Sequence, residues 1–302
     1  MPRERKNLSE SILERLKNLA RQTKRRTDEL LRYFAIERFL YRLSESQHCN
    51  KFFLKGGLML RAWQLNEHRP TLDIDLLGKT KNNAQNLQRI VQDICGQEVI
   101  RDGITYETDG LRITEIQVDG DYLGARILFR AKLHSAKIPM QLDIGFSDLI
   151  FPKPCSIAYP ALLEFPAPKL RGYTAESVIA EKFEAMAKLG LVNTRLKDFY
   201  DIWILLKGFS FRGESLQGAM QATFDRRKSS LDRLPDSLSK EFYSDPAHIK
   251  RWQKFLQQME FENAIELTMV ISDIKDFLQP IVDATFRKQL FNLSWSYEKK
   301  WR

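Results

Sequence analysis

Cysteine, histidine and long apolar runs are all scarce in this chain. The three cysteines, Cys49, Cys95 and Cys155, are widely spaced and form no Cys-x-x-Cys. The four histidines (His48, His68, His134 and His248) make no pair at ligand spacing. This pattern argues against a zinc site. His48 and Cys49 are neighbours, but adjacency in sequence is not catalytic geometry, and a loop pair at a helix end is the simpler expectation. No stretch of eighteen or more apolar residues occurs, which argues against a membrane-spanning helix. The opening Met-Pro-Arg-Glu-Arg-Lys lacks the apolar segment of a secretion signal, so the expected location is the cytoplasm, with no membrane partner.

What is present suits a folded protein of one elaborated domain or two. The chain has 302 residues, 43% of them hydrophobic, enough to bury a sizeable core. Its formal charge is +9. Residues 1–26 hold nine basic and three acidic side chains and close on Lys24-Arg25-Arg26; Arg226-Arg227-Lys228 is a separate cluster. Such a surface favours phosphate-rich partners, nucleic acid among them, although a solvated helix face would look the same.

Residues 8–46 carry helical spacing, with Ser9 and Asp28 as candidate openings of two helices. Phe52-Phe53-Leu54 reads as a buried strand that turns at Gly56-Gly57 into a helix over 58–63. Residues 69–76 alternate as a strand, with Arg69, Thr71, Asp73 and Asp75 on one side and Pro70, Leu72, Ile74 and Leu76 on the other. A helix is expected over 82–95. Strands are expected over 104–107, 111–117, 122–133 and 137–146, the first three separated by Asp-Gly turns at Asp109-Gly110 and Asp119-Gly120. A connector rich in proline follows (Pro152 to Pro168). Beyond it the pattern is helical, over 174–189, 196–207, 213–227, 246–259 and 264–288.

The chemistry-bearing residues are acids on strands. Asp73 and Asp75 sit two apart, which on a strand places both carboxylates on one face, about 7 Å apart along the backbone. Hard cations such as magnesium take carboxylate oxygens and complete their shell with water and phosphate. Gly56-Gly57, sixteen residues before Asp73, lets backbone N–H groups approach a phosphate at a helix start. Asp143, in Gln141-Leu142-Asp143-Ile144-Gly145-Phe146, is a third strand carboxylate on the polar side. It would hold a metal or take a proton from an attacking hydroxyl. Lys182 lies on an apolar helix stripe beside Ala185, where it either snorkels or meets a triphosphate. Asp198 and Asp201, three apart, share a helix face. Taken singly, each of these residues also has an ordinary structural explanation.

The combination and order of these motifs resemble the AbiEii/AbiGii toxin family of nucleotidyltransferases, whose relatives include the MenT toxins. The resemblance spans roughly 28–290. It is densest in Phe53-Leu54-Lys55-Gly56-Gly57, in Arg69 to Leu76, in Ala180-Glu181-Lys182-Phe183-Glu184-Ala185 and in Arg195 to Asp201. It implies an α+β, polymerase-beta-like nucleotidyltransferase fold, with a mixed sheet flanked by helices and a helical C-terminal half. The corresponding division is N-terminal helices over 1–46, a nucleotidyltransferase core over 47–170, and a helical domain over 171–302 that completes the active site. The resemblance also implies magnesium (or manganese) held by Asp73 and Asp75, and the strand position of Asp143 would add a further ligand or base. Lys182 takes the place of the family's helix lysine and Lys197-Asp198 that of its Lys-Asp pair. Gly56, Gly57, Lys182 and Arg69 would hold the nucleoside triphosphate, and an RNA such as tRNA would accept the nucleotide. A cognate antitoxin and a role in growth arrest or phage defence follow from the same resemblance. Two other readings stay open: an inactive nucleic-acid-binding protein on the same scaffold, and transfer to a protein or small molecule. The wider superfamily often has Gly-Ser where this chain has Gly56-Gly57, which removes a hydroxyl from the phosphate cradle.

Overall fold

The computed structural model describes residues 2–65, 69–118, 122–259, 265–298 and 300–302. The expected Asp119-Gly120 turn and the expected helix start at 264 lie outside the described residues. The fold is α+β, with a seven-stranded mixed sheet flanked by helices. The chain divides into two compact units. One comprises Met1–Trp63, Thr71–Ser147 and Ser156–Gly172; the other comprises Gln64–Pro70, Asp148–Cys155 and Tyr173–Arg302. The N-terminal helices thus fall in the same unit as the sheet.

The first unit begins with α1 (Pro2–Thr23) and α2 (Thr27–Glu45). Ser9 lies inside α1 rather than capping it. β1 (Phe52–Lys55) leads into the one-turn α3 (Leu58–Ala62), followed by β2 (Ile74–Gly78) and α4 (Ala84–Gly96). β3 (Ile104–Val118), β4 (Tyr122–Leu133) and β5 (Ala136–Gly145) make a meander, and β6 (Cys155–Ala158) and β7 (Lys169–Gly172) complete the sheet. Its order is β3-β4-β5-β2-β1-β7-β6. Two expectations are corrected. Asp109-Gly110 does not separate two strands: β3 runs through it, and the register against β4 shifts between Glu107 and Arg112, so the dipeptide serves as a bulge. The proline-rich connector also holds β6.

Strand alternation decides which face is covered. Ile74, Leu76, Ile127, Phe129, Leu142 and Ile144 are buried, and α2 lies against β5. Phe39 of α2 meets Tyr106 and Phe129 at ring-centroid distances of 6.0 and 5.6 Å. The intervening positions, Asp75, Arg126 and Asp143, project from the other face.

The second unit is mainly helical: α5 (Ala175–Leu189), α6 (Leu196–Gly208), α7 (Gly213–Arg227), α8 (Lys240–Ser244), α9 (Pro246–Gln258) and α10 (Leu267–Phe286). Thr174 caps α5 by accepting from the Ser177 N–H at 3.2 Å. α10 packs on α6 and α7. The sequence reading missed a small sheet, β8 (Phe211–Arg212), β9 (Ser294–Ser296) and β10 (Lys300–Trp301), in the order β10-β9-β8. Strands this short carry no periodic signal. Aromatic packing holds them: Phe277 stacks on Trp301 at 5.4 Å and meets Trp295 edge-on at 4.7 Å.

A buried charge layer ties α2 to the rest of the first unit. Arg42 donates to both Asp102 oxygens at 2.6 and 3.0 Å, and Arg38 donates to the Pro166 carbonyl. Glu37 accepts from the Leu162 N–H at 2.7 Å. Burial pushes the Glu37 carboxyl up to about 7, against the pull of the Leu162 N–H and Arg38. A carboxyl raised in the folded state from an ordinary value of 4.5 stabilises most below pH 4.5, and the advantage is lost as pH climbs through 7. The shift corresponds to about 3 kcal/mol. Glu37→Gln keeps the acceptor without the charge. It should flatten the fall in melting temperature of the wild type between pH 5 and 8; parallel curves for the two proteins would refute this account.

Candidate active site

Strand register assembles a charged row across the open face of the sheet. Lys55 on β1 lies opposite Asp75 on β2. Asp75 is in parallel register with Asp143 on β5. Asp143 is opposite Arg126 on β4. Adjacent strands are about 4.8 Å apart, and like charges directly opposite one another are destabilising. The two carboxylates therefore sit together at a cost, offset by a cation at each end of the row. Arg126 holds Asp143 through both oxygens, Nε to Oδ1 at 2.9 Å and Nη2 to Oδ2 at 2.7 Å, and Gln141 adds a bond to Oδ2 at 3.2 Å. The Arg126 guanidinium is pushed further up, first by its hydrogen bonds to Asp143 and also by the charges of Asp143, Asp73 and Asp75. Arg126 thus senses all three acids.

Asp73 is not on the strand. β2 starts at Ile74, and Asp73 occupies a bend just before it. This segment is pinned by Tyr33, whose hydroxyl accepts from the Thr71 N–H at 3.1 Å; the buried Tyr33 ring lies under the Arg61 guanidinium at 4.4 Å.

The turn after β1 is shaped by the same carboxylate row. Gly56 adopts φ +69°, and a Cβ built on it would lie 2.2 Å from Asp75 Oδ2. Both the backbone and the neighbouring acid demand glycine. Gly57 has φ −66° and ψ −24°, a conformation open to any residue. α3 spans only five residues, so its dipole is small and an anion here would be held chiefly by individual N–H groups.

The donor set suits a hard cation in part. Among the described residues no group of three or more His, Cys, Asp or Glu side chains stands arranged to hold a metal ion. Asp143 is taken up by Arg126 and Gln141. Asp73 and Asp75 are two further carboxylates on either side of Ile74, and magnesium commonly uses only one or two, filling its other positions with water and substrate phosphate.

The remaining expected site residues gather within the second unit. Lys182 Nζ, on α5, lies 2.7 Å from both Asp198 Oδ1 and Asp201 Oδ2, on α6. Arg69 makes a bidentate pair with Asp201 at 2.7 and 2.9 Å, and Arg195 Nε is 2.7 Å from Asp198 Oδ2. Asp198 and Asp201 are 1% and 0% exposed, so each buried carboxylate depends on its two cations for compensation. Burial lowers the Lys182 ammonium, but Asp198 and Asp201 outweigh it and the net shift is upward. Burial likewise works against ionised Asp201; Arg69 and Lys182 win and hold it at about 2. Arg69, expected to share a strand face with Asp73 and Asp75, is instead committed to Asp201. Lys197, beside Asp198 in the motif, is exposed.

Sequence reasoning missed Arg126, Lys55 and Gln141. Arg126 alternates correctly with Ile127 and Ala125, but its partner becomes visible only with strand register. Two outcomes follow from this geometry. Gly56→Ala should displace the Asp75 carboxylate and cost about 1–3 kcal/mol, seen as a lower unfolding midpoint; an unchanged midpoint would show that the turn relaxes freely. Lys182→Met takes one of two cations from each of two buried aspartates and should cost roughly 3–5 kcal/mol. Denaturant unfolding measures it, and a loss under 1 kcal/mol would mean that Arg69 and Arg195 suffice.

Comparison with known proteins gives the frame for these residues. No curated protein matches the chain. JHP933 from Helicobacter pylori is similar in structure at TM-score 0.45 and 16% identity, over 83% of this chain and 90% of that one. A second H. pylori structure, provisionally called a nucleotidyltransferase, gives 0.41 and 16% over 83% and 92%. Likenesses this slight carry no assignment. The family match does: residues 38–280 fit the family described as Nucleotidyl transferase AbiEii toxin, Type IV TA system, and the chain belongs to that family of nucleotidyltransferase toxins.

Proposed function

We propose that this protein transfers a nucleoside monophosphate from a nucleoside triphosphate to RNA, with tRNA as the foremost acceptor. The observation that carries the reading is the row Lys55–Asp75–Asp143–Arg126, with Gly56 closed against Asp75. Two adjacent carboxylates on a sheet are costly, and a reaction on a polyphosphate gives a reason to keep them.

Asp73 and Asp75 would hold magnesium or manganese, which supplies charge neutralisation and alignment of the triphosphate. The N–H groups of Gly56 and Gly57 donate to phosphate oxygens. The acceptor hydroxyl attacks the α-phosphorus in line; a new P–O bond forms as the bond to pyrophosphate breaks. Asp143 takes the hydroxyl proton after Arg126 swings from it toward the phosphate charge. Positioning and charge stabilisation supply most of the rate. Lys182, Asp198 and Arg69 belong to the proposed functional set on the strength of the family resemblance, and the basic segment 1–26 would grip RNA by its backbone. A cognate antitoxin would silence the activity, and its release would arrest growth or defend against phage in the cytoplasm, where triphosphates and tRNA are found.

One observation favours a rival, an inactive scaffold that only binds nucleic acid: Asp143 is fully engaged by Arg126. Incubation with labelled triphosphates, RNA and magnesium separates the two. Wild type should label RNA, and Asp73→Asn with Asp75→Asn should reduce transfer by roughly a hundredfold or more. Transfer surviving that double change would sink the metal-site reading. Mass analysis of the products identifies the acceptor, and label on protein or a small molecule would overturn the RNA acceptor alone.

A further inference from the structure

The bulge in β3 opens a cavity of about 540 Å³, entirely within the first unit and lined by Arg32, Glu107, Gly110, Arg112, Leu128 and Arg130, among others. Its size matches a nucleotide-sized ligand. Three features mark it as a site for an anion. Arg32, Arg112 and Arg130 make no ion pair among the described residues. Arg32 Nε is buried without a hydrogen-bond partner. Glu107, in register with Arg130, does not pair with it, so the lining keeps an excess of positive charge. An orphaned, buried guanidinium nitrogen is costly unless a ligand satisfies it.

The cavity also adjoins the carboxylate row. Gln141 lines it and donates to Asp143. Arg126, Leu128 and Arg130 alternate along one face of β4, so about 13 Å of strand separates the Asp143 partner from the far arginine. Leu128 is an exposed apolar side chain between them, suited to the face of a base. We infer that this cavity holds the acceptor strand, with two backbone phosphates upstream of the reacting hydroxyl bound one each by Arg112 and Arg130, and with Arg32 adding to the positive charge of the lining. The inference rests on the transferase reading only for the identity of the polyanion.

The test reads binding, without triphosphate or metal. Anisotropy of a short fluorescein-labelled oligoribonucleotide is measured against full-length protein over a salt series. Each phosphate contact in a single strand contributes about 0.7 to the slope of log affinity against log salt. Arg112→Gln with Arg130→Gln should therefore lower the slope by about 1.4 and weaken binding roughly tenfold at low salt. Both residues are exposed; should the pair fold poorly, Arg112→Gln alone should lower the slope by about half as much. An unchanged slope overturns the groove and leaves the transferase reading intact. Loss of label transfer in wild type, with the slope change present, does the reverse. Equal competition by polyglutamate of matched charge would assign the groove to an acidic protein segment and overturn it as an RNA site.

Discussion

Everything around the open face of the sheet answers to one constraint, the parallel pairing that sets Asp75 beside Asp143. Parallel neighbours place side chains of equal register on the same face, so two negative charges meet across one strand spacing. Unrelieved, that arrangement is destabilising. Relief comes from both ends of the same row, with Arg126 clasping Asp143 and Lys55 opposite Asp75. The helix-covered face beneath supplies the rigidity: Ile74, Leu76, Leu142 and Ile144 are buried at the alternate positions and prevent the strands from sliding to part the acids.

The turn at Gly56-Gly57 takes its form from this row. Asp75 occupies the volume that a side chain at position 56 would need, and the positive φ adds a second reason for glycine. Position 57 is different. Its right-handed conformation would accept serine as readily as glycine, so the hydroxyl common in the wider superfamily is missing here by choice of residue, not by backbone geometry. A phosphate at this turn would depend on backbone N–H groups, which a one-turn helix reinforces only weakly.

Much of this was legible in advance because local pattern carries it. The buried run Phe52-Phe53-Leu54, the Gly-Gly turn, the strand Gln141 to Gly145 and the helix ended by Gly190 are each set by neighbours in sequence. Register was not legible, and register creates the site. The β4–β5 hairpin has only His134 and Ser135 between the paired Leu133 and Ala136, with His134 at φ +52°. Seven residues back from Leu133 is Arg126, and seven on from Ala136 is Asp143. Reading the turn one residue longer sets Arg126 opposite Ile144 and turns every partner to the wrong face. The small sheet β8–β9–β10 escaped for a different reason: strands of two or three residues are held by Phe277, Trp295 and Trp301 from far along the chain, and no local period announces them.

The stretch from Arg69 to Leu76 shows how a motif can be contiguous in sequence and still serve two structural ends. As one alternating strand it would have put Arg69, Asp73 and Asp75 on a single face. The chain instead changes unit between Pro70 and Thr71. On one side Arg69 joins Lys182 in neutralising Asp201, an acid with no exposure that would otherwise be very costly to ionise. On the other side Tyr33 pins the Thr71 backbone and Asp73 sits in the bend ahead of β2. A proline at position 70 fits that role, since it removes a ladder donor and disfavours strand pairing where the chain passes from one task to the other. The cation of this motif therefore belongs to the buried ion-pair network of the helical unit, and its carboxylates belong to the sheet and the bend that leads into it, so a substitution at Arg69 acts first on the charge balance of Asp201 and not on the acids four and six residues further on in sequence.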